Sequence, residues 1–173
     1  MIGRGELEKL AKDPAFHSEV QDMFFEAMTA GHASLTSPSS PAKGTIVELR
    51  GSKTFTHARI PWKVVDVYLV TPLSTRSGGM TVISYEGVPV WMMQYFGEYE
   101  KQAISCLKAA LREAYSRDEF IGGRGPLKLV YGKYEYQNHP VLSTFERFSG
   151  FESVTRGVGA ILGTHQYHGG LML

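Results

Sequence analysis

The stretches SGGMTVISYEGVPVWMMQYFG (77–97) and SGFESVTRGVGAILGTHQYHG (149–169) decide how this chain is built. Slid by 72 residues, the second lies over the first without a gap, and seven of 21 positions are identical. The pairs are Ser77/Ser149, Gly78/Gly150, Val82/Val154, Gly87/Gly159, Gln94/Gln166, Tyr95/Tyr167 and Gly97/Gly169. Usual residue frequencies would give about one or two. Upstream, Trp62 falls opposite Tyr134, and Arg50-Gly51 corresponds to Arg124-Gly125 across a two-residue gap. Two copies at this period are too few and too long for a solenoid. The pattern predicts two duplicated antiparallel β-meander halves about a pseudo-two-fold axis, forming one sheet or a half-open barrel. Gly87 and Gly159 then supply positive φ in equivalent hairpin turns.

Working outward, Trp62–Val70 (WKVVDVYLV) is dense in β-branched and aromatic residues and reads as a strand. It is apolar on both sides apart from Lys63 and Asp66, which predicts that both faces are covered. Further strands are expected at 45–50, 53–60, 79–86, 88–96, 127–137, 141–148, 151–156 and 160–168. Ala103, Ile104, Leu107, Ala110, Leu111 and Ala114 recur at helical spacing and predict a helix from Glu98 to about Tyr115. Residues 5–12 read as a short helix, and Asp13-Pro14 as an N-cap and first helical position. The helix it opens runs to about Ala30, with Phe16, Val20, Met23, Phe24 and Ala27 on one face and Gly31 as its C′ residue. SLTSPSSPAKG (34–44) has no apolar period and reads as a mobile loop. The fold class is therefore α+β, with an N-terminal helix and a central helix packed on the sheet. Residues 1–173 form a single domain: 1–44 a helical segment and Ser/Pro loop, 45–120 the first half plus the helix, 121–173 the second half.

The composition sets bounds. With 173 residues and 43% apolar content, one core is expected. Eighteen basic against 17 acidic residues argues against a nucleic-acid binder. No apolar run is long enough to span a membrane. Cys106 is the sole cysteine, so no internal disulfide can form. The start, MIGRGELEKLAKDPAF, has no apolar signal core, and Ile2 after Met1 excludes myristoylation. A cytoplasmic location is expected.

Arg124-Gly125-Pro126, Glu146-Arg147-Phe148-Ser149-Gly150-Phe151-Glu152 and the ending Tyr167-His168-Gly169-Gly170 resemble a bacterial domain family of unknown function. So does the hairpin Tyr85-Glu-Gly-Val-Pro-Val-Trp91 with its Gln94-Tyr-Phe-Gly97 end. The likeness extends over about 20–173. Members of that family occur alone or C-terminal to helix-turn-helix modules, which implies an accessory, ligand-sensing role in the cytoplasm. The resemblance carries no catalytic mechanism. Thr75-Arg76-Ser77 departs from it where a first Phe-x-Gly would stand, and the first 44 residues hold no DNA-reading helix pair.

Among chemistry-bearing residues, the glycine-rich run 157–163 continues into His165-Gln166-Tyr167-His168 rather than a helix, unlike a dinucleotide loop. His165 and His168 are three apart on a strand and leave opposite faces, and no other ligand sits at metal spacing, so no metal and no cofactor is expected. Cys106 falls on the apolar face of its helix and reads as core. No nucleophile elbow is present. The expected ligand site is Trp91, Gln94, Tyr95, Arg124, Gln166, Tyr167 and His168. Gln94 and Gln166 would make a polar spot beside His168, Trp91 would stand against a gap at Gly163, and Arg124 would hold a carboxylate or phosphate. Alternatively, Tyr95 and Tyr167 are core aromatics and Arg124 pairs with a structural acid. Three functions follow: a non-catalytic module for a small ligand or protein partner, a hydrolase or isomerase using His165 or His168 with an acid such as Glu146, or a structural dimerisation unit. Homodimerisation is one way to cover the open sheet edges.

Overall fold

The computed structural model describes residues 2–33, 44–122, 124–157 and 159–173. The elements in order are α1 (Arg4–Leu10), α2 (Pro14–Met28) with a π-helical turn (Thr29–Ala33), β1 (Gly44–Ile46), β2 (Leu49–Arg59), β3 (Trp62–Val70), β4 (Arg76–Tyr85) and β5 (Val88–Tyr99). A short 3-10 turn (Lys101–Ala103) then leads into α3 (Ile104–Ser116), followed by β6 (Lys128–Tyr131), β7 (Tyr134–Ser143), β8 (Arg147–Arg156) and β9 (Ala160–Leu171). The fold is α+β. Its nine strands form one antiparallel sheet in the order β1-β2-β3-β4-β5-β9-β8-β7-β6, and the sheet does not close. Two meanders therefore meet at β5 and β9, where Tyr95 stands directly opposite Tyr167. No helix among the described residues is long and apolar enough to cross a membrane.

Both long helices lie on one face. Asp13 caps α2 by accepting from the Ala15 amide at 2.9 Å, and Pro14 opens the helix without a wasted donor. Its buried side brings Phe16 onto Trp62 and Phe24 onto Trp91, Tyr115 and Phe145. α3 presents Cys106, Leu107, Ala110, Leu111 and Ala114 to the same core, so the lone thiol is packing. Residues 29–33 prolong the helix instead of ending it at Gly31, where a Cβ would lie 2.8 Å from the Phe55 ring.

Several expectations are corrected. β3 is covered on one face only: Trp62, Val64 and Asp66 are buried, whereas Val65 and Val67 are half-buried and Leu69 is exposed. Its double-sided apolar run reflects a second surface, not a second layer. β5 continues through Glu98 to Tyr99 before the helix begins, because those residues pair with Thr164 and Gly163. The segment 127–137 holds a hairpin turned at Gly132 (φ 61°). β7 instead passes through Asn138 to Ser143, and Pro140 is accommodated at a bulge, where its missing donor costs least. The loop expected at 34–44 lies outside the described residues except for Gly44, which starts β1. Both sheet edges are short, three residues in β1 and four in β6.

The 72-residue offset places like faces together in β3/β7 and β5/β9, where Asp66 matches Asn138 and Tyr95 matches Tyr167. In β4/β8 it fails by one residue. Gly78 faces Phe96 on the open side, while Gly150 faces the Tyr167 hydroxyl on the helix side. The cause is the turn: two residues (86–87) join β4 to β5 and three (157–159) join β8 to β9. Gly87 and Gly159 both have positive φ there, 83° and 88°.

Candidate functional site

The seven expected residues divide between the two faces of the central strands. Trp91, Tyr95, Arg124 and Tyr167 belong to the helix-covered side, and Gln94, Gln166 and His168 to the open side. They do not form one pocket. Gln94 pairs with His168, and Gln166 with Phe96, so the two amides are diagonal on one face and not directly opposed. Trp91 stands opposite Leu171 and Gly163 opposite Tyr99, at the two ends of the β5–β9 pair. No gap awaits Trp91: it is fully buried between Phe145 and Phe148, and its Nε1 donates to the Phe145 carbonyl at 3.0 Å.

On the covered side the middle of the sheet carries a polar cluster. Arg124 Nη1 lies 3.5 Å from Glu152 Oε1, and the Glu152 side chain is wholly buried. Tyr136 donates to Glu152 Oε2 at 2.7 Å, and the Tyr99 hydroxyl is buried beside the same carboxylate. The Arg124 guanidinium carbon also sits 4.6 Å above the Tyr95 ring, and Tyr115 hydrogen bonds to Arg124. Tyr95 and Thr81 both donate to Asp66 Oδ1, at 3.1 and 2.8 Å. At the matched position, Tyr167 donates to Asn138 Oδ1 at 2.5 Å, and Asn138 Nδ2 holds the carbonyls of Ile121 and Gly125. That last pair of bonds fixes the loop from which Arg124 enters. A Cβ at Gly125 would lie 2.5 Å from the Tyr136 hydroxyl, so only glycine lets the loop lie so close. Arg124 is thus spent on an internal acid. Burial drives the Tyr95 and Tyr115 hydroxyls well above the usual tyrosine range, so both stay neutral; Tyr95 donates to Asp66, and the Tyr115 oxygen accepts from Arg124.

His165 completes the cluster. Arg124 Nη1 is 3.1 Å from its Nδ1, and Ser77 Oγ is 3.3 Å from its Nε2. A guanidinium can only donate, so Nδ1 must accept and the ring proton sits on Nε2. His165 therefore donates to Ser77 and cannot take its proton, the reverse of a nucleophile and its base. Burial, and then the Arg124 charge, pull its pKa down to about 3. Glu146, the acid expected beside a histidine, is exposed in the β7–β8 turn, and among the described residues it makes no hydrogen bond or ion pair with His165 or His168. The carboxylate opposite His165 is Glu152. No group of three or more His, Cys, Asp or Glu among the described residues is placed to hold a metal.

Glu152, Asp66, Asn138, Tyr136 and Tyr99 were not singled out from the sequence. The signal for Glu152 lay in Phe148-x-Gly150-x-Glu152, three alternate positions of β8 that all face the helices. Phe148 stacks on Trp91, Gly150 makes room for Tyr167, and Glu152 meets Arg124. Gly169 has the same use, since a Cβ there would collide with the Met92 carbonyl and the Phe148 ring.

The open side carries a groove of about 930 Å³ at the end of β3, β4 and β5. Leu69, Gly78 and Phe96 are cross-strand neighbours in its floor, and Gln94, Gln166 and His168 line one flank. Arg50, Arg76 and the loop Thr71–Ser74 close the other end.

Residues 73–172 match the family model of DUF5680, a domain of unknown function. The chain belongs to this family, and the match covers β4 to β9 while α1, α2 and β1–β3 precede it. No curated protein and no solved structure matches the chain.

Proposed function

We propose that the protein is a non-catalytic binding module for a small molecule, seated in the groove on the open face of the sheet. The observation that carries this reading is the groove itself. Its volume of about 930 Å³ lies within the range of small-molecule sites. It combines an apolar floor of Leu69 and Phe96 with the polar flank of Gln94, Gln166 and His168. Three of these five residues belong to the site expected from the sequence. The buried cluster beneath is read as support, because its Ser77–His165 contact has the wrong proton polarity to activate a nucleophile. We read the two meanders as copies of one unit, with the Tyr95–Asp66 and Tyr167–Asn138 pairs as the matched pins on which β5 and β9 are set.

The test is titration with Nile red, a neutral apolar dye, against the wild type and Gln166→Trp. Gln166 is exposed, so the indole fills the groove without disturbing the core. Saturable fluorescence enhancement that Gln166→Trp abolishes, at unchanged melting temperature, supports the reading. Enhancement indifferent to the substitution, or none at all, refutes it.

A further inference from the structure

We infer that the occupant of this groove is an amphipathic anion, an apolar chain or ring ending in a carboxylate or phosphate; the inference rests on the binding role proposed above. Among the described residues, the groove lining contains two arginines and a histidine but no aspartate or glutamate. The chain as a whole is close to neutral, at +1, so the positive lining is a local feature. It is also graded. The floor between Leu69 and Phe96 is apolar, and both arginines stand at the Thr71–Ser74 end.

That end is rich in spare donors. Thr71 Oγ1 accepts from the Leu73 amide at 3.2 Å, and Ser74 Oγ accepts from the Arg76 amide at 3.3 Å. Each hydroxyl oxygen is thereby committed as acceptor, which leaves its hydrogen to donate. Arg76 is ion-paired with Glu98, but at 3.5 Å and with both side chains more than half exposed. Such pairs are worth about 0–1 kcal/mol, so a ligand anion that offers bidentate contacts can displace Glu98. Arg50 is exposed on the same rim. Gly78 leaves the floor between them open: a Cβ there would meet the Phe96 ring at 2.7 Å. An eight-carbon chain laid on Phe96 and Leu69 would bring its head group to this set of donors.

The experiment compares four eight-carbon probes by isothermal titration calorimetry: octanoate, octyl phosphate, 1-octanol and octylammonium, with acetate and inorganic phosphate as heads without chains. We expect octanoate or octyl phosphate to bind at least ~10-fold tighter than 1-octanol, a gap of about 1.4 kcal/mol. Octylammonium should bind more weakly than 1-octanol. The tighter of the two anions identifies the head group. The preference should shrink as salt is raised and vanish in the doubly substituted Arg50→Gln/Arg76→Gln chain, which keeps its affinity for 1-octanol. Equal binding of 1-octanol and both anions would overturn this inference while leaving the binding role intact. Acetate or phosphate binding as tightly as the long probes would overturn it too, by showing a surface anion patch. Failure of all four probes, together with Nile red, would remove the binding role itself.

Discussion

Unfolding exposes His165 to water, and with it a basic nitrogen that the folded state keeps from protonating. The ring is 3% exposed and its pKa is held at about 3, first by burial and then by Arg124. In the unfolded chain a histidine titrates near 6.5. Below that value the unfolded state binds a proton that the folded state refuses, so stability is lost as pH falls from 6.5 towards 3. Each unit in this window costs about 1.4 kcal/mol. Between pH 7 and 4.5 the loss from this residue comes to about 2.5 kcal/mol. His165→Gln removes the titration and keeps the contacts, since the amide oxygen can accept from Arg124 while its nitrogen donates to Ser77. Urea unfolding followed by the fluorescence of Trp62 and Trp91 measures both chains at the two pH values. The wild type should lose about 2.5 kcal/mol more than His165→Gln over this interval. Equal losses would mean that His165 reaches water or becomes protonated in the folded state, and the tautomer assigned from Arg124 would be wrong.

Further predictions concern the same side of the sheet. Arg124→Met strands the buried Glu152 carboxylate and should cost about 3–5 kcal/mol, and adding Glu152→Gln should recover part of it; the double-mutant cycle by urea denaturation checks this. Gly150→Ala pushes a methyl to within 2.5 Å of the Tyr167 hydroxyl and 2.6 Å of the His139 carbonyl. It should cost about 1–3 kcal/mol, seen as a lowered melting temperature, whereas Gly132→Ala, with open space beside it, should show only the smaller strain of its positive φ. Trp91→Ala empties the stack between Phe145 and Phe148 and should cost about 3–5 kcal/mol, measured by denaturant titration at pH 7.

Much of the covered face could be read from local pattern. Asp13-Pro14 announces the α2 start because cap and first turn are contiguous in sequence. Trp62–Val70 was placed to the residue because strand propensity is dense there. The cluster was less legible, since its partners come from distant segments. Arg124 meets Glu152 and His165 only after β8 and β9 are in register. One extra turn residue between β8 and β9 decides which side Glu152 takes, and an ungapped comparison hides it. The sequence likewise grouped Gln94, Gln166 and His168 as one polar spot, but could not say that it lies on the side away from both helices.

That division bears on what the central strands can change. Residues of β5 and β9 facing the helices are tied to one another through Asp66, Asn138 and the Arg124 cluster, so single substitutions there carry costs of kilocalories. Their immediate neighbours in sequence, Gln94, Phe96, Gln166 and His168, face the groove on the opposite side of the sheet. Substitution at such surface positions usually moves stability by about 0.5 kcal/mol or less. The fold can therefore hold its strand geometry constant while the groove lining varies. On this argument, chemical selectivity resides in alternate residues of β5 and β9, and exchanging His168 for a residue of different polarity should alter probe selectivity while leaving the unfolding midpoint nearly unmoved.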